Sequence, residues 1–65
     1  MKILINDTPH ALPEQATLAQ AIALIDATPP YAAAVNQQFV PRSQHEAHVL
    51  QPGDRVEVIR PVTGG

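Results

Sequence analysis

Residues 1–6 alternate, with Met1, Ile3 and Ile5 set against Lys2, Leu4 and Asn6. A period of two places one aliphatic set on one sheet face and predicts a first strand. Asn and Asp tolerate left-handed backbone geometry and bond their own backbone, so Asn6-Asp7-Thr8 predicts a hairpin turn into a second strand around residues 10–12. Pro9 makes that strand an edge, because proline donates no ladder hydrogen bond, and Pro13 closes it. Thr17-Leu18-Ala19-Gln20 has the form of a capping box and starts a helix. Leu18, Ala21, Ile22 and Ile25 fall at i, i+3, i+4 and i+7 as one apolar stripe, while Ala19, Ala23 and Ala27 add helix propensity. Thr28-Pro29-Pro30 is expected to end the helix.

Residues 31–35 read as a third strand, since Pro30 and Asn36 leave too little room for an Ala-rich helix. Their small side chains would let a helix or partner approach closely. Asn36-Gln37-Gln38 turns into a brief strand at Phe39-Val40, stopped by Pro41. Ser43-Gln44-His45-Glu46 is a second capping-box pattern, enough for one helical turn. Pro52 and Gly53 occupy the centre of a type II turn, where glycine supplies the positive φ. Residues 55–60 alternate again, with Val56 and Val58 on one face and Arg55, Glu57 and Ile59 on the other. The expected fold is α+β: a mixed sheet of four to five strands with one main helix packed on one face. Its expected core is Ile3, Ile5, Leu12, Leu18, Ile22, Ile25, Val35, Leu50, Val56 and Val58.

Composition narrows what such a fold can do. The chain has 65 residues, 45% of them hydrophobic, with one Tyr, one Phe, no Trp and no Cys. A domain this short buries only about 60% of its unfolded surface. Without cysteine there is neither a disulfide nor a thiolate metal site to reinforce it. A self-contained enzyme pocket, typically about 300–1,000 Å³ and lined by apolar and aromatic groups, is not expected from so thin a core. A net charge of -2, with Lys2, Arg42, Arg55 and Arg60 scattered, argues against nucleic acid. No apolar run approaches the ~20 residues of a membrane span, and residues 1–6 are too short for a signal-peptide core. The expectation is one cytoplasmic domain over residues 1–65, monomeric when free, with 60–65 as a flexible tail.

The side chains suggest no catalyst. His45 and His48 lie three apart, but two imidazoles with no third ligand fall short of a metal site, and all three histidines read as surface or loop residues. Ser43 near His45 reads as a helix cap rather than a nucleophile. Gly53 is isolated, so no glycine-rich phosphate loop exists.

What remains is Arg60-Pro61-Val62-Thr63-Gly64-Gly65. Two terminal glycines arise by chance in roughly one chain in two hundred, and a frayed end is the plain alternative. A carboxylate borne on residues without Cβ can enter a narrow slot and adopt φ values closed to other residues. These six residues reach at most ~20 Å when extended. They suit threading into another protein's active site. A carboxylate resists nucleophiles until its oxygen becomes a leaving group, as in an acyl-adenylate formed with ATP. Displacement of AMP by sulfur then gives a thiocarboxylate. The phosphate-binding groups and Mg²⁺ belong to the partner, because this chain offers none.

The Ile3-Leu4-Ile5-Asn6 opening, the capped helix from Thr17, the Val35-Asn36-Gln37-Gln38-Phe39-Val40-Pro41-Arg42 run, Gly53-Asp54 before the last strand and Gly64-Gly65 together resemble the ThiS-type sulfur carriers. These are small ubiquitin-like proteins of thiamine biosynthesis, and the resemblance covers essentially the whole chain. It implies a β-grasp in which the first and last strands run parallel at the centre of the sheet. It implies that the Gly65 carboxylate is the covalent site, adenylated by an E1-like enzyme of the ThiF type using ATP and Mg²⁺. Sulfur then comes from cysteine through a desulfurase and passes to thiazole synthase of the ThiG type. Gly64, Thr63 and Val62 would thread the partner's site, and Ile59, Phe39, Leu4 and Arg60 form the expected docking surface. His45 stands where family members often carry a larger aromatic such as Trp. The small subunit of molybdopterin synthase shares the fold and terminal pair but usually has a longer chain, and carriers for cysteine synthesis or tRNA thiolation look alike. A ubiquitin-like binding or modifier module without sulfur transfer is the competing reading from another class.

Overall fold

The computed structural model describes residues 1–60, and over these the chain forms β1 (Lys2–Ile5), β2 (Thr8–Ala11), α1 (Leu18–Leu24), β3 (Ala32–Val35), β4 (Gln38–Val40), a 3₁₀ turn (Arg42–Gln44) and β5 (Arg55–Ile59). The tail expected from Arg60 onward falls, over 61–65, outside the described residues.

The strands make one mixed sheet in the order β2-β1-β5-β3-β4. β1 and β5 are parallel neighbours at its centre, with Leu4 opposite Arg55 and Ile5 opposite Val56. β3 flanks β5 antiparallel, pairing Ala32 with Ile59 and Val35 with Val56. This is the α+β, ubiquitin-like β-grasp that the resemblance implied. β2 is an edge, as Pro9 requires, although it begins at Thr8, two residues earlier than expected. The turn needs only Asn6 and Asp7, at φ 50° and 67°. Two consecutive left-handed residues make the tight turn whose twist matches paired strands. Asn36 and Gln37, at φ 51° and 69°, repeat it between β3 and β4.

Two local expectations need correction. The helix stops at Leu24 rather than at Thr28-Pro29-Pro30. Asp26 swings into the left-handed region at φ 52°, and the Ile25 and Asp26 amides bond carbonyls three residues back, on Ile22 and Ala23. An Asp in that conformation closes a helix locally, ahead of any proline. Ser43 is not a cap either: the 3₁₀ turn starts one residue earlier, after Pro41, without a side-chain cap bond. Thr17 does cap α1. Its hydroxyl accepts from the Gln20 amide while Gln20 Oε1 accepts from the Thr17 amide.

The remaining free amides at the start of α1 are satisfied from across the chain. Leu18 donates to the His48 carbonyl at 2.9 Å and Ala19 to the His45 carbonyl at 3.0 Å, while the Leu50 amide returns a bond to the Ala16 carbonyl at 2.8 Å. Residues 45–50 are thereby fixed against the helix N-terminus, and Leu50 is buried. Ile3, Ile5, Leu12, Leu18, Ile22, Val35, Leu50 and Val56 form the core as expected. Ile25 and Val58 pack on its margin, half-buried, and Ala16, Ala21, Ala33 and Val40 complete it.

Leu18 is fully buried, so Leu18→Ala should cost about 2–5 kcal/mol, whereas Ile59→Ser, on the exposed face, should stay within about 0.5 kcal/mol. Urea unfolding followed by circular dichroism separates the two.

Candidate functional site

β5 delivers the C-terminal segment, and alternation along it sorts the residues around the exit onto two faces. Val56 and Val58 face α1 and the core; Arg55, Glu57 and Ile59 face away. Leu4 lies on this second face, because Ile3 and Ile5 on either side of it are buried. Phe39 joins it through its pairing with Ala34, whose neighbours Ala33 and Val35 point into the core.

The outer face therefore carries Ile59, 56% exposed, and Phe39, 67% exposed. Half-buried Ala32 and Ala34 lie between them. Half-buried Leu4 lies on β1, across β5 from Ala34, with Arg55 as its partner in register. Three of the expected docking residues thus share one uncovered sheet face. Arg60 does not join them. It is exposed on the helix side, where it borders an open groove of about 530 Å³ together with Ile5, Thr8, His10, Ile25 and Val58. Val62, Thr63, Gly64 and Gly65 lie outside the described residues.

Sequence reasoning missed how β5 is held at its two ends. The Asn6 amide donates to the Val56 carbonyl at 2.8 Å, and Asn6 Oδ1 accepts from the Val58 amide at 2.9 Å. The Asn36 amide donates to the Arg55 carbonyl at 2.8 Å, and Asn36 Oδ1 accepts from the Arg55 amide at 3.0 Å. Asp54 secures Asn36 Nδ2 at 3.0 Å and the Gln51 amide at 2.8 Å. Each hairpin turn thus grips β5 by one main-chain donor and one side-chain acceptor. The available signal was a repeated aliphatic-Asn-polar step at Ile5-Asn6-Asp7 and Val35-Asn36-Gln37.

His45 also differs from expectation. It is buried, 5% exposed, rather than a surface residue. Its ring stacks on Tyr31 with centroids 6.1 Å apart, and Nε2 donates to the Val40 carbonyl at 3.0 Å. A carbonyl oxygen only accepts, which fixes that nitrogen as the donor. The imidazole packs a buried position against Tyr31 and satisfies a main-chain carbonyl at once. Among the described residues no group of three or more His, Asp or Glu side chains comes together, and no described helix is long and apolar enough to cross a membrane.

The sequence profile described as the ThiS family matches residues 3–65. The sulfur carrier protein ThiS of Escherichia coli strain K12 is 36% identical over 74 aligned positions that take in 100% of both chains. The crystal structure of the thiamine biosynthesis protein ThiS from Geobacter metallireducens superposes with a TM-score of 0.82 over 100% of both chains at 19% identity. A solution structure of a thiamine biosynthesis protein from the same organism gives 0.78 over 100% of this chain and 88% of the other, also at 19% identity. At that identity the two structures speak for the fold.

His45→Ala removes the stacking partner of Tyr31 and the bond to the Val40 carbonyl and leaves a cavity where a buried ring stood, so it should lower stability by about 2–3 kcal/mol. His45→Phe keeps the ring but not the bond and should cost about 1 kcal/mol. Urea midpoints of the two variants against the parent check the order.

Proposed function

The chain belongs to the ThiS family and is a sulfur carrier of thiamine biosynthesis, and from that premise we propose that its reactive group is the carboxylate of Gly65. The observation that carries the reading is the family match running through the Gly64-Gly65 pair at 65. A carboxylate oxygen attacks the α-phosphorus of ATP in an E1-like, ThiF-type partner, and pyrophosphate leaves. A sulfur nucleophile, drawn from cysteine through a desulfurase, attacks the carbonyl carbon of the adenylate. AMP departs with the electrons of the broken C–O bond, leaving an acyl disulfide to the donor's sulfur; a thiol of a partner enzyme then attacks that donor sulfur, forms a disulfide with it and expels the thiocarboxylate. Sulfur is more polarisable than oxygen, so the thiocarboxylate is the better nucleophile for delivery to a ThiG-type thiazole synthase.

In this scheme the chain is a protein co-substrate in the cytoplasm rather than an enzyme. It binds no cofactor, and ATP and Mg²⁺ belong to the adenylating partner. Its own part is presentation. Gly64 and Gly65 pass a narrow slot because neither carries Cβ, with Thr63 and Val62 behind them. The face bearing Leu4, Phe39 and Ile59 docks on the partner, since outward apolar side chains beside a functional terminus are what a polar-rimmed interface buries. Arg60, on the other side of β5, meets acidic groups of the partner.

Incubation with the E1-like enzyme, ATP and a sulfur donor should raise the intact mass by the difference between sulfur and oxygen, located on Gly65 by fragmentation. Persistent absence of that increment with a competent cognate enzyme would sink the reading. Removal of Gly65 should abolish the increment and leave the unfolding midpoint unchanged. Phe39→Asp and Ile59→Asp should each lower kcat/KM for adenylation by about tenfold without loss of fold, which steady-state kinetics of pyrophosphate release would measure.

A further inference from the structure

The parallel pairing of β1 with β5 is short, and its last rung is made by a side chain. Along this edge the Leu4 amide donates to the Asp54 carbonyl at 3.0 Å and the Asn6 amide to the Val56 carbonyl at 2.8 Å. A parallel ladder continued by one step would have the Val58 amide donate to the backbone carbonyl of residue 6. Asn6 has by then turned into the left-handed region, at φ 50°, and the chain departs toward β2. Its side-chain oxygen takes over as acceptor, 2.9 Å from the Val58 nitrogen. β5 is thereby held on its β1 side two residues beyond the point where β1 itself ends.

This rung lies next to the exit of the chain. Val58 is followed by Ile59, paired with Ala32 on the other side, and then by Arg60. Past the Asn6 contact, β3 is the strand that guides β5. The matching grip at Asn36 acts at Arg55, at the opposite end of β5. One asparagine therefore holds the entry of the strand and the other its exit.

We propose that Asn6 is a positioning residue for the carrier reaction: by bonding the Val58 amide it fixes the direction in which the chain leaves β5 and so aligns the terminal carboxylate with the partner's catalytic groups. The inference rests on the carrier reading above. Asn6 borders the helix-side groove with Val58 and Arg60, away from the face that carries Leu4, Phe39 and Ile59, so its contribution is to the fraction of docked molecules whose terminus is correctly aimed. Misalignment of about an ångström is enough to slow a reaction strongly.

The test compares Asn6→Gly, Asn6→Asp and Asn36→Gly in the full chain. Glycine keeps the positive φ free of strain but removes the acceptor, and aspartate restores an acceptor oxygen at the same reach. With the E1-like partner, Asn6→Gly should lower kcat for adenylation by about tenfold with KM within about twofold, and Asn6→Asp should recover most of it. Asn36→Gly should match the stability loss of Asn6→Gly while keeping kcat near that of the parent. Amide exchange should quicken at Val58 in Asn6→Gly and at Arg55 in Asn36→Gly. Equal loss of kcat in both glycine variants, or an unchanged kcat in Asn6→Gly despite faster Val58 exchange, overturns the positioning role. A parent chain that is never adenylated overturns the carrier reading instead, and this inference falls with it.

Discussion

β5 is paired along both edges, with β1 in parallel and with β3 antiparallel, and the rest of the sheet depends on that double pairing. β1–β2 and β3–β4 are two-stranded hairpins, units that are marginal at best on their own in water. β5 joins them and contributes Val56 and Val58 to the buried side. Its entry is fixed from several directions. The Gly53 amide bonds the Lys2 carbonyl at 2.8 Å, Leu4 bonds Asp54, and Asp54 braces the Asn36 turn. The turn at Gly53, with φ 84°, brings these bonds together, and glycine adopts that angle without strain. The strand that leads to the C-terminal segment is thus also the one whose loss would separate the sheet into its hairpins.

The helix is held by a complementary arrangement. Seven residues give α1 little stability of their own, and its first amides find acceptors on residues 45–48 as well as on the Thr17 cap. That connector is polar and short of regular structure. It stays in place because its carbonyls are needed there, with His45 wedged between Tyr31 and the Val40 carbonyl. Burial of an imidazole in a small core is tolerated because its donor has a partner. Ala16, Ala21 and Ala33 let the backbones approach closely where a larger residue would hold them apart.

How much of this was legible in the residues depends on the range of the interaction that decides it. The alternation of residues 1–6 and 55–60, the Thr17 box and the Pro52-Gly53 turn act within a few residues, and each lies where the pattern puts it. Ala32 to Val35 forms a strand despite its alanines, because Pro30 and Asn36 left no room for a helix. The helix end was misplaced because Thr28-Pro29-Pro30 is a loud stop signal, while Asp26 ends the helix quietly through its own left-handed φ. Burial of His45, and of the core alanines, was hidden for a different reason. Alanine reads as helix propensity and histidine as polar surface until a second segment, distant in sequence, is packed against them. The parallel neighbourhood of β1 and β5 came from family resemblance, since periodicity orients a strand but does not choose its neighbours.

The absence of cysteine takes on a different sense in this architecture. A thiol carrier needs a side chain of tuned acidity and a pocket to protect it, and a core this thin provides neither. Carriage on a terminal carbonyl needs only a carboxylate and a partner that activates it. The chain's contribution then becomes mechanical. Each residue held extended by the sheet before docking, through Ile59 on β3 and through Val58 on Asn6, is one whose ordering does not have to be driven by binding. That ordering is worth about 1–2 kcal/mol per residue in backbone entropy, so even two residues held in advance are comparable to a tenfold or greater gain in productive encounters. A rigid last strand, rather than a pocket, is the feature such a carrier has most use for.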